Sequence, residues 1–227
     1  MSITDKYRTP AALPSRIAVF PLRGCILLPR ASMPINVFEP RYLEMIDDAI
    51  SGSRVIGIIQ PAAATEPVES PQGKDADMRK VGCAGRITAY QELEDNRLLI
   101  TLTGIARFDA VGEAASDLPY RLLDVDYQRF AGDLEPGRGE NAVDREKLLN
   151  VLKRYLEANQ LGADWDAIIN SPSELLVNVL SVVSPFSSEE KQALLEAADL
   201  PRRAEALIAL AEMHLAAGHD TQGGTLQ

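Results

Sequence analysis

Two periodicities divide the chain. From Arg16 to Phe130 apolar residues recur in short, β-branched runs broken by proline and glycine, as strands and turns do; from Val143 onward they recur every three to four residues, as on amphipathic helices. In the first part Ile17–Phe20, Pro34–Phe38 and Arg54–Gln60 read as strands, the last a buried one because its apolar run is nearly continuous. Val81–Tyr90 and Arg97–Gly104 flank the polar stretch QELEDN and predict a hairpin. Alternation puts Val81, Cys83, Gly85 and Ile87 on one face of the first arm, and Leu98, Ile100 and Leu102 on one face of the second. Ile105–Val111 and Tyr120–Phe130 supply two more strands, enough for a closed or nearly closed antiparallel sheet. One helix interrupts this region. Pro40 sits where a first helical turn tolerates a missing N–H, Tyr42, Leu43, Ile46, Ala49 and Ile50 follow at helical spacing, and Gly52 ends it. The polar, proline-dotted stretch between Pro61 and Lys80 predicts a mobile loop.

In the second part Val143, Leu148, Leu149, Leu152, Tyr155 and Leu156 form one apolar stripe. Ser171-Pro172-Ser173-Glu174 pairs a capping serine with a glutamate three residues on and predicts a helix reaching about Val183. Ser187-Ser188-Glu189-Glu190 repeats the device, and Pro201 opens a last helix reaching about Ala217. Four or more helices with short links predict a bundle, so the fold class is α+β, a β domain followed by a helical one. The expected organisation is a tail over 1–15, a β-rich domain with one inserted helix over 16–130, a linker over 131–142, a helical bundle over 143–217 and a tail over 218–227.

Charge narrows the partners. The formal net charge is −10, and residues 131–227 carry 8 Lys+Arg against 16 Asp+Glu, whereas residues 1–130 carry 15 against 17. An acidic surface argues against nucleic acid and anionic membrane as principal partners. The N-terminal stretch mixes charge and proline where a secretory signal would be apolar, and no apolar run approaches the roughly 20 residues of a spanning helix, so cytoplasm is the expected location. Cys25 and Cys83 stand 58 positions apart without metal or redox spacing, and read as two small buried apolar residues.

Catalytic signatures are scarce. The phosphate-cradling loop and the Gly-x-Ser-x-Gly elbow are absent, and the two histidines, His214 and His219, lie near the C-terminus without companion ligands; neither metal nor cofactor is expected. Glu39, Arg41 and Tyr42 remain. In an enzyme Glu39 would be a base and Arg41 an electrostatic clamp, which requires a pocket that shifts the carboxylate and a group that orients it. In a structural role Glu39 would accept amide hydrogen bonds at a helix start, Arg41 would tie that turn to a neighbouring strand, and Tyr42 would pack its ring into the core. A third reading gathers Arg86, Arg97, Arg107, Arg121 and Arg129 on one face for RNA.

PLRGCILLPRASMPINVFEPRYLEMIDDAI (21–50), followed by VGCAGRITAY and GIARFD, resembles the N-terminal substrate-binding domain of Lon proteases, in the form found as stand-alone bacterial proteins and, more distantly, in cereblon. The likeness runs over about residues 15 to 215. It rests on the Pro-Leu-x-x-x-x-Leu-x-Pro opening, the Phe-Glu-Pro-Arg-Tyr box, Val81-Gly82 with Gly85-Arg86-Ile87, and Thr103-Gly104-x-x-Arg107-Phe108. The resemblance implies a PUA-like pseudo-barrel followed by a helical bundle. In Lon proteases that portion helps select unfolded or tagged polypeptides for an ATPase and a Ser-Lys peptidase domain. Neither catalytic domain is expected here, nor the zinc-bearing domain that holds cereblon's small-molecule pocket.

The resulting expectation is a non-enzymatic module that engages exposed apolar or extended segments of polypeptides, with a Lon-type protease as a further partner. Phe38, Glu39, Arg41, Tyr42 and Arg107 carry the resemblance and are the candidate contact residues, unless the fold itself demands them. Strand addition and apolar insertion are both open routes. Covering about 400 Å² of apolar surface at roughly 25 cal/mol per Å² gives on the order of 10 kcal/mol gross. That is comparable with an association cost of about 4–15 kcal/mol. A lone copy should hold its clients weakly, and self-association would add avidity.

Overall fold

A mixed six-stranded sheet organises the first half of the molecule. In the computed structural model, which describes residues 6–62, 77–158 and 164–222, the strands are β1 (Arg16–Pro21), β2 (Ser32–Val37), β3 (Val55–Pro61), β4 (Met78–Leu93), β5 (Arg97–Glu113) and β6 (Arg121–Asp126). Their order is β2-β5-β4-β3-β1-β6, and β6 returns to pair with β5. β5 is long enough to serve two partners on one edge. Its first half runs beside β2, from Leu98↔Val37 to Thr103↔Ser32, and its second half runs beside β6 from Asp109↔Asp126. The ring β5-β4-β3-β1-β6 therefore closes, and β2 with the adjoining halves of β5 and β4 projects from it as a three-stranded ribbon.

The expected antiparallel pseudo-barrel carries one parallel pair, β1 with β3, registered at Val19↔Gly57. The chain between them includes β2 and the helix α1 (Pro40–Ser51), a connection long enough for the crossover that parallel strands require. Ile105–Val111 is not a separate strand. It continues β5, which bends at irregular registers, opposite Ala84/Gly85 of β4 and at its own Ala110/Gly112 against β6, instead of turning back. The expected strand Tyr120–Phe130 stops at Asp126, and Gln128–Leu134 winds into 3₁₀ turns. The loop expected between Pro61 and Lys80 lies largely outside the described residues.

Two apolar clusters follow from the alternation of strand side chains. Inside the barrel, Ile17, Val19, Val55, Ile59, Ala84, Ala106, Phe108, Leu123 and Val125 pack together, closed by Tyr7 and Leu13 from the N-terminal stretch read as a tail. Phe108 is the plug. A Cβ on Gly82 would stand 2.5 Å from its ring, so the glycine of the Val81-Gly82 motif makes room for the phenylalanine of the Arg107-Phe108 motif. The second cluster covers the outer face of the barrel with Tyr42, Met45 and Ile46 of α1 and runs without a break into the helices.

Those helices are α2 (Arg145–Ala158), α3 (Trp165–Asn170), α4 (Ser173–Val183), α5 (Ser188–Glu196) and α6 (Leu200–Gln222). α3 is one more than the periodicity disclosed. Its six residues are too few for a stripe, and Asp164 caps it by accepting from the Ala167 amide. The capping box foreseen at Ser187 and Glu190 is present in both directions. That foreseen at Ser171 is not: Ser171 Oγ donates back to the Ala167 carbonyl, and Glu174 is drawn away by an arginine. The bundle, expected to hold four or more helices, has five described ones. α6 extends past Ala217, and the stretch 131–142 is tied down by the buried side chain of Asp133.

Candidate functional site

The residues that carry the motifs separate into two places. The first is a polar seam between barrel and helices. Arg107, on β5, is 2% exposed and bidentate to Asp133, with Nε to Oδ2 and Nη2 to Oδ1 both at 2.8 Å; the Arg107 amide also donates to Asp133 Oδ2 at 3.0 Å. Its remaining nitrogen donates to the Leu195 and Ala197 carbonyls at the end of α5, and its guanidinium lies 4.3 Å over the Phe130 ring. Arg30 extends the seam, donating to the Asp133 carbonyl at 2.8 Å and to the Glu174 carboxylate, which also accepts from the Gly137 amide. Asn178 of α4 donates to the Pro29 carbonyl and accepts from Arg203, which in turn donates to the Leu194 carbonyl. Burial pulls the Arg203 guanidinium down to about 9, helped by the neighbouring Arg107 and opposed by Asp133, so it remains cationic at neutral pH. Gln60 of β3 and Gln192 of α5 bond at 3.0 Å and complete the seam.

The Pro-Leu-x-x-x-x-Leu-x-Pro opening belongs to the same joint. A Cβ on Gly85 would meet Leu27 Cδ2 at 2.5 Å, and one on Gly104 would meet the Leu28 carbonyl oxygen at 2.0 Å. The motif glycines thus exist so that residues 27–29 can lie flat on β4 and β5, with Pro29 bridged to Gly104.

The second place is the free end of the ribbon. Glu39 caps α1 with its carbonyl, which accepts from the Tyr42 and Leu43 amides, while its side chain makes no capping bond. Its carboxylate takes Arg41 instead, at 2.9 Å to Nε and 2.7 Å to Nη2, so the expected amide acceptor is an ion pair and the expected tie from Arg41 to a strand is a local one. The Arg41 guanidinium lies 4.6 Å over Tyr42, whose ring stacks on Phe20 at 4.1 Å. Burial pushes the Tyr42 phenol up, and nearby Arg41 moderates the shift. The Glu39 side chain is 43% exposed, so no enclosed cavity converges on it as an acid–base site requires. Phe38, one residue past β2, is 64% exposed; Leu99 on β5 and Tyr90 on β4 are also exposed. Sequence reasoning missed both. Their registers, Asn36↔Leu99↔Gln91 and Ile35↔Ile100↔Tyr90, place Leu99 two positions and Tyr90 three positions from Phe38 along the ribbon, on opposite faces of it. Arg107 is not with them, for its partners are Asp133, Phe130, Leu195 and Ala197.

The arginines considered for RNA are engaged elsewhere. Arg97 faces Asp95, Arg121 pairs with Glu113, Arg129 with Asp109, Arg107 with Asp133, and Arg86 donates to the Tyr7 hydroxyl. Paired charges give phosphate little to gain. His214 bonds Glu190 Oε1 at 3.0 Å and abuts the Phe186 ring edge-on. Ser188 and Lys191 have the spacing of a Ser-x-x-Lys pair, but the lysine donates to the Val182 carbonyl and serves the end of α4. Cys83 is buried and its thiol pushed up by burial, Cys25 is half-buried, and both are free. Among the described residues no group of three or more His, Cys, Asp or Glu could hold a metal ion, and no helix is long and apolar enough to cross a membrane.

Comparison with known proteins decides the family. The model of the ATP-dependent protease La (LON) substrate-binding domain matches residues 16–212. The chain belongs to the Lon substrate-binding domain family. It is 27% identical over 199 residues to Lon protease of Flavobacterium johnsoniae, covering 85% of this chain and 23% of that protein. With Lon protease of Cytophaga hutchinsonii it shares 28% over 214 residues, 91% of this chain and 24% of that one. The chain thus spans about a quarter of the length of these Lon relatives. Among solved structures, a Lon N-terminal domain protein from Xanthomonas campestris superposes with a TM-score of 0.60 at 23% identity, covering 86% of this chain and 97% of that one. The N-terminal domain of a Mycobacterium avium complex Lon protease gives 0.62 at 18%, covering 88% and 99%. The α+β architecture is therefore that of Lon N-terminal domains.

Proposed function

We propose that this Lon-family domain is a non-enzymatic recognition module that engages exposed apolar stretches of unfolded or extended polypeptides through the free end of its ribbon. The observation that carries this reading is the placement of Phe38, Leu99 and Tyr90. Phe38, just past β2, and Leu99, opposite Asn36 of β2, stand exposed two register positions apart at the end of the ribbon, and Tyr90 stands exposed on its other face. The motif residues divide accordingly: Phe38 makes contact, whereas Glu39, Arg41 and Tyr42 fix the turn that presents it. Arg107 has no share in contact because it is spent inside the seam. A Lon-type protease is the natural consumer of what the module binds, and weak self-association would raise its avidity. Cytoplasm, where unfolded chains and such proteases meet, is the proposed location.

The test titrates reduced, carbamidomethylated lysozyme, a permanently unfolded chain, against this protein and reads binding by anisotropy. Saturable binding in the micromolar range, weakened at least ten-fold in a Phe38→Ser, Leu99→Ser double variant, supports the reading. Absence of binding at hundreds of micromolar, or binding indifferent to the double variant, overturns it.

A further inference from the structure

Resting on that reading, we infer that the polypeptide is held by strand addition along residues 88–93 of β4, and that its preferred form is an extended segment alternating apolar and cationic residues. β3 accompanies β4 only as far as Val55↔Arg86, with one further bond from the Ile87 amide to the Arg54 carbonyl. Beyond it β4 continues to Leu93 paired with β5 alone among the described residues, through Ala89↔Thr101, Gln91↔Leu99 and Leu93↔Arg97. Ala89, Tyr90, Gln91 and Glu92 are consecutively exposed, so both faces and the outer edge are open to solvent there. Such an edge presents alternating N–H and C=O groups that an extended backbone satisfies in register.

The other edge of the ribbon is closed to this use. β2 carries Pro34, which offers no N–H, and proline within a sheet marks the side turned away from partners. β4 from 88 to 93 has no proline, and its hairpin is locked by Asp95 and Asn96 in left-handed conformation (φ 66° and 56°), so the template is preformed. Charge chooses the occupant. Within residues 92–97 Glu92, Glu94 and Asp95 stand against a single cation, Arg97, which faces Asp95 at 3.9 Å. Cationic side chains on the face shared by Tyr90 and Glu92, and apolar ones on the other face, where Ala89 stands and Leu99 lies across Gln91, complement this edge, whereas an acidic segment is repelled.

The probe is a ten-residue peptide alternating valine and lysine, with a valine–glutamate version and two N-methylated versions whose methyls occupy odd or even positions. Strand addition predicts that the valine–lysine peptide binds, and that the valine–glutamate one binds at least ten-fold more weakly. It also predicts that methylation of one parity weakens binding at least ten-fold while the other has little effect, because only alternate amides face the edge. Hydrogen exchange should slow at alternate amides within 88–93, and Glu92→Lys, on an exposed side chain, should weaken the valine–lysine peptide several-fold. Equal loss from both methylation parities, or protection at 32–37 instead of 88–93, overturns the inference. If unfolded lysozyme binds in a Phe38-dependent way while 88–93 remains unprotected, strand addition falls and the recognition function stands. If nothing unfolded binds, both fall.

Discussion

Arg107 and Arg41 both belong to family motifs, both pair with a carboxylate and both lie over an aromatic ring. Their side chains are 3% and 29% exposed, with partners Asp133 and Glu39 at 10% and 43%. In the seam, low exposure makes every polar atom consequential: a charge there is tolerable only while its counter-ion and hydrogen bonds are in place. At the ribbon end the same pairing is screened by water and holds a turn in place for little energy. The contrast separates what the motifs do. One set of residues welds the helices to the barrel, and the other leaves an apolar side chain standing in solvent at the end of a rigid sheet.

The sharpest way to break the comparison is Asp133→Ala, which leaves the Arg107 guanidinium buried and unpaired. We expect a loss of about 3–5 kcal/mol, read by denaturant unfolding. A loss below about 1 kcal/mol would mean the seam is no more demanding than the surface. Gly104→Ala comes next, since its new Cβ would stand 2.0 Å from the Leu28 oxygen, a backbone atom that cannot rotate away. Overpacking of this kind costs about 1–3 kcal/mol, visible as a lower denaturation midpoint with an unchanged slope.

A smaller effect tests the helical side. Ser187→Ala removes a capping bond worth about 1 kcal/mol. Burial raises the Glu190 carboxyl, but His214 and the Ser187 amide and hydroxyl outweigh it and hold the group below its ordinary 4.5. A folded value below the unfolded one gives stability that is fully present above about pH 4.5 and disappears as pH falls through the folded value. Thermal unfolding should therefore show a decline on acidification below that point, and Glu190→Gln should flatten it. The smallest stability effect belongs to Phe38→Ser, expected within about 0.5 kcal/mol by thermal melting. Binding of unfolded lysozyme should nonetheless fall, and this pairing of silent stability with lost binding is what the seam variants should not reproduce.

Much of the fold was legible in one dimension because the signals are local. Pro40 and Gly52 bracket α1, the Ser187–Glu190 box starts α5, and the change of period near residue 130 marks where sheet gives way to helix. The continuous β5 was less visible, because bulges keep a strand going through residues that look like a boundary. The candidate site was legible in part. Phe38 through Tyr42 stood out as a motif, yet Tyr90 and Leu99 did not, since each is an ordinary strand residue; Tyr90 is exposed because β3 does not accompany β4 beyond Arg86, and Leu99 because its face of the ribbon is uncovered.

By itself the sequence determined the periodicities, the Ser187–Glu190 cap, the acidic balance and the family, all of which depend on residues close together in the chain or on their order. Tertiary structure decided which carboxylate answers which guanidinium: among 33 Asp and Glu residues nothing local singles out Asp133 as the partner of Arg107, 26 positions away. It likewise decided that Gly104 serves Leu28 and Gly82 serves Phe108. Burial, pairing and edge exposure are properties of what lies opposite in space, and chain distance does not encode them.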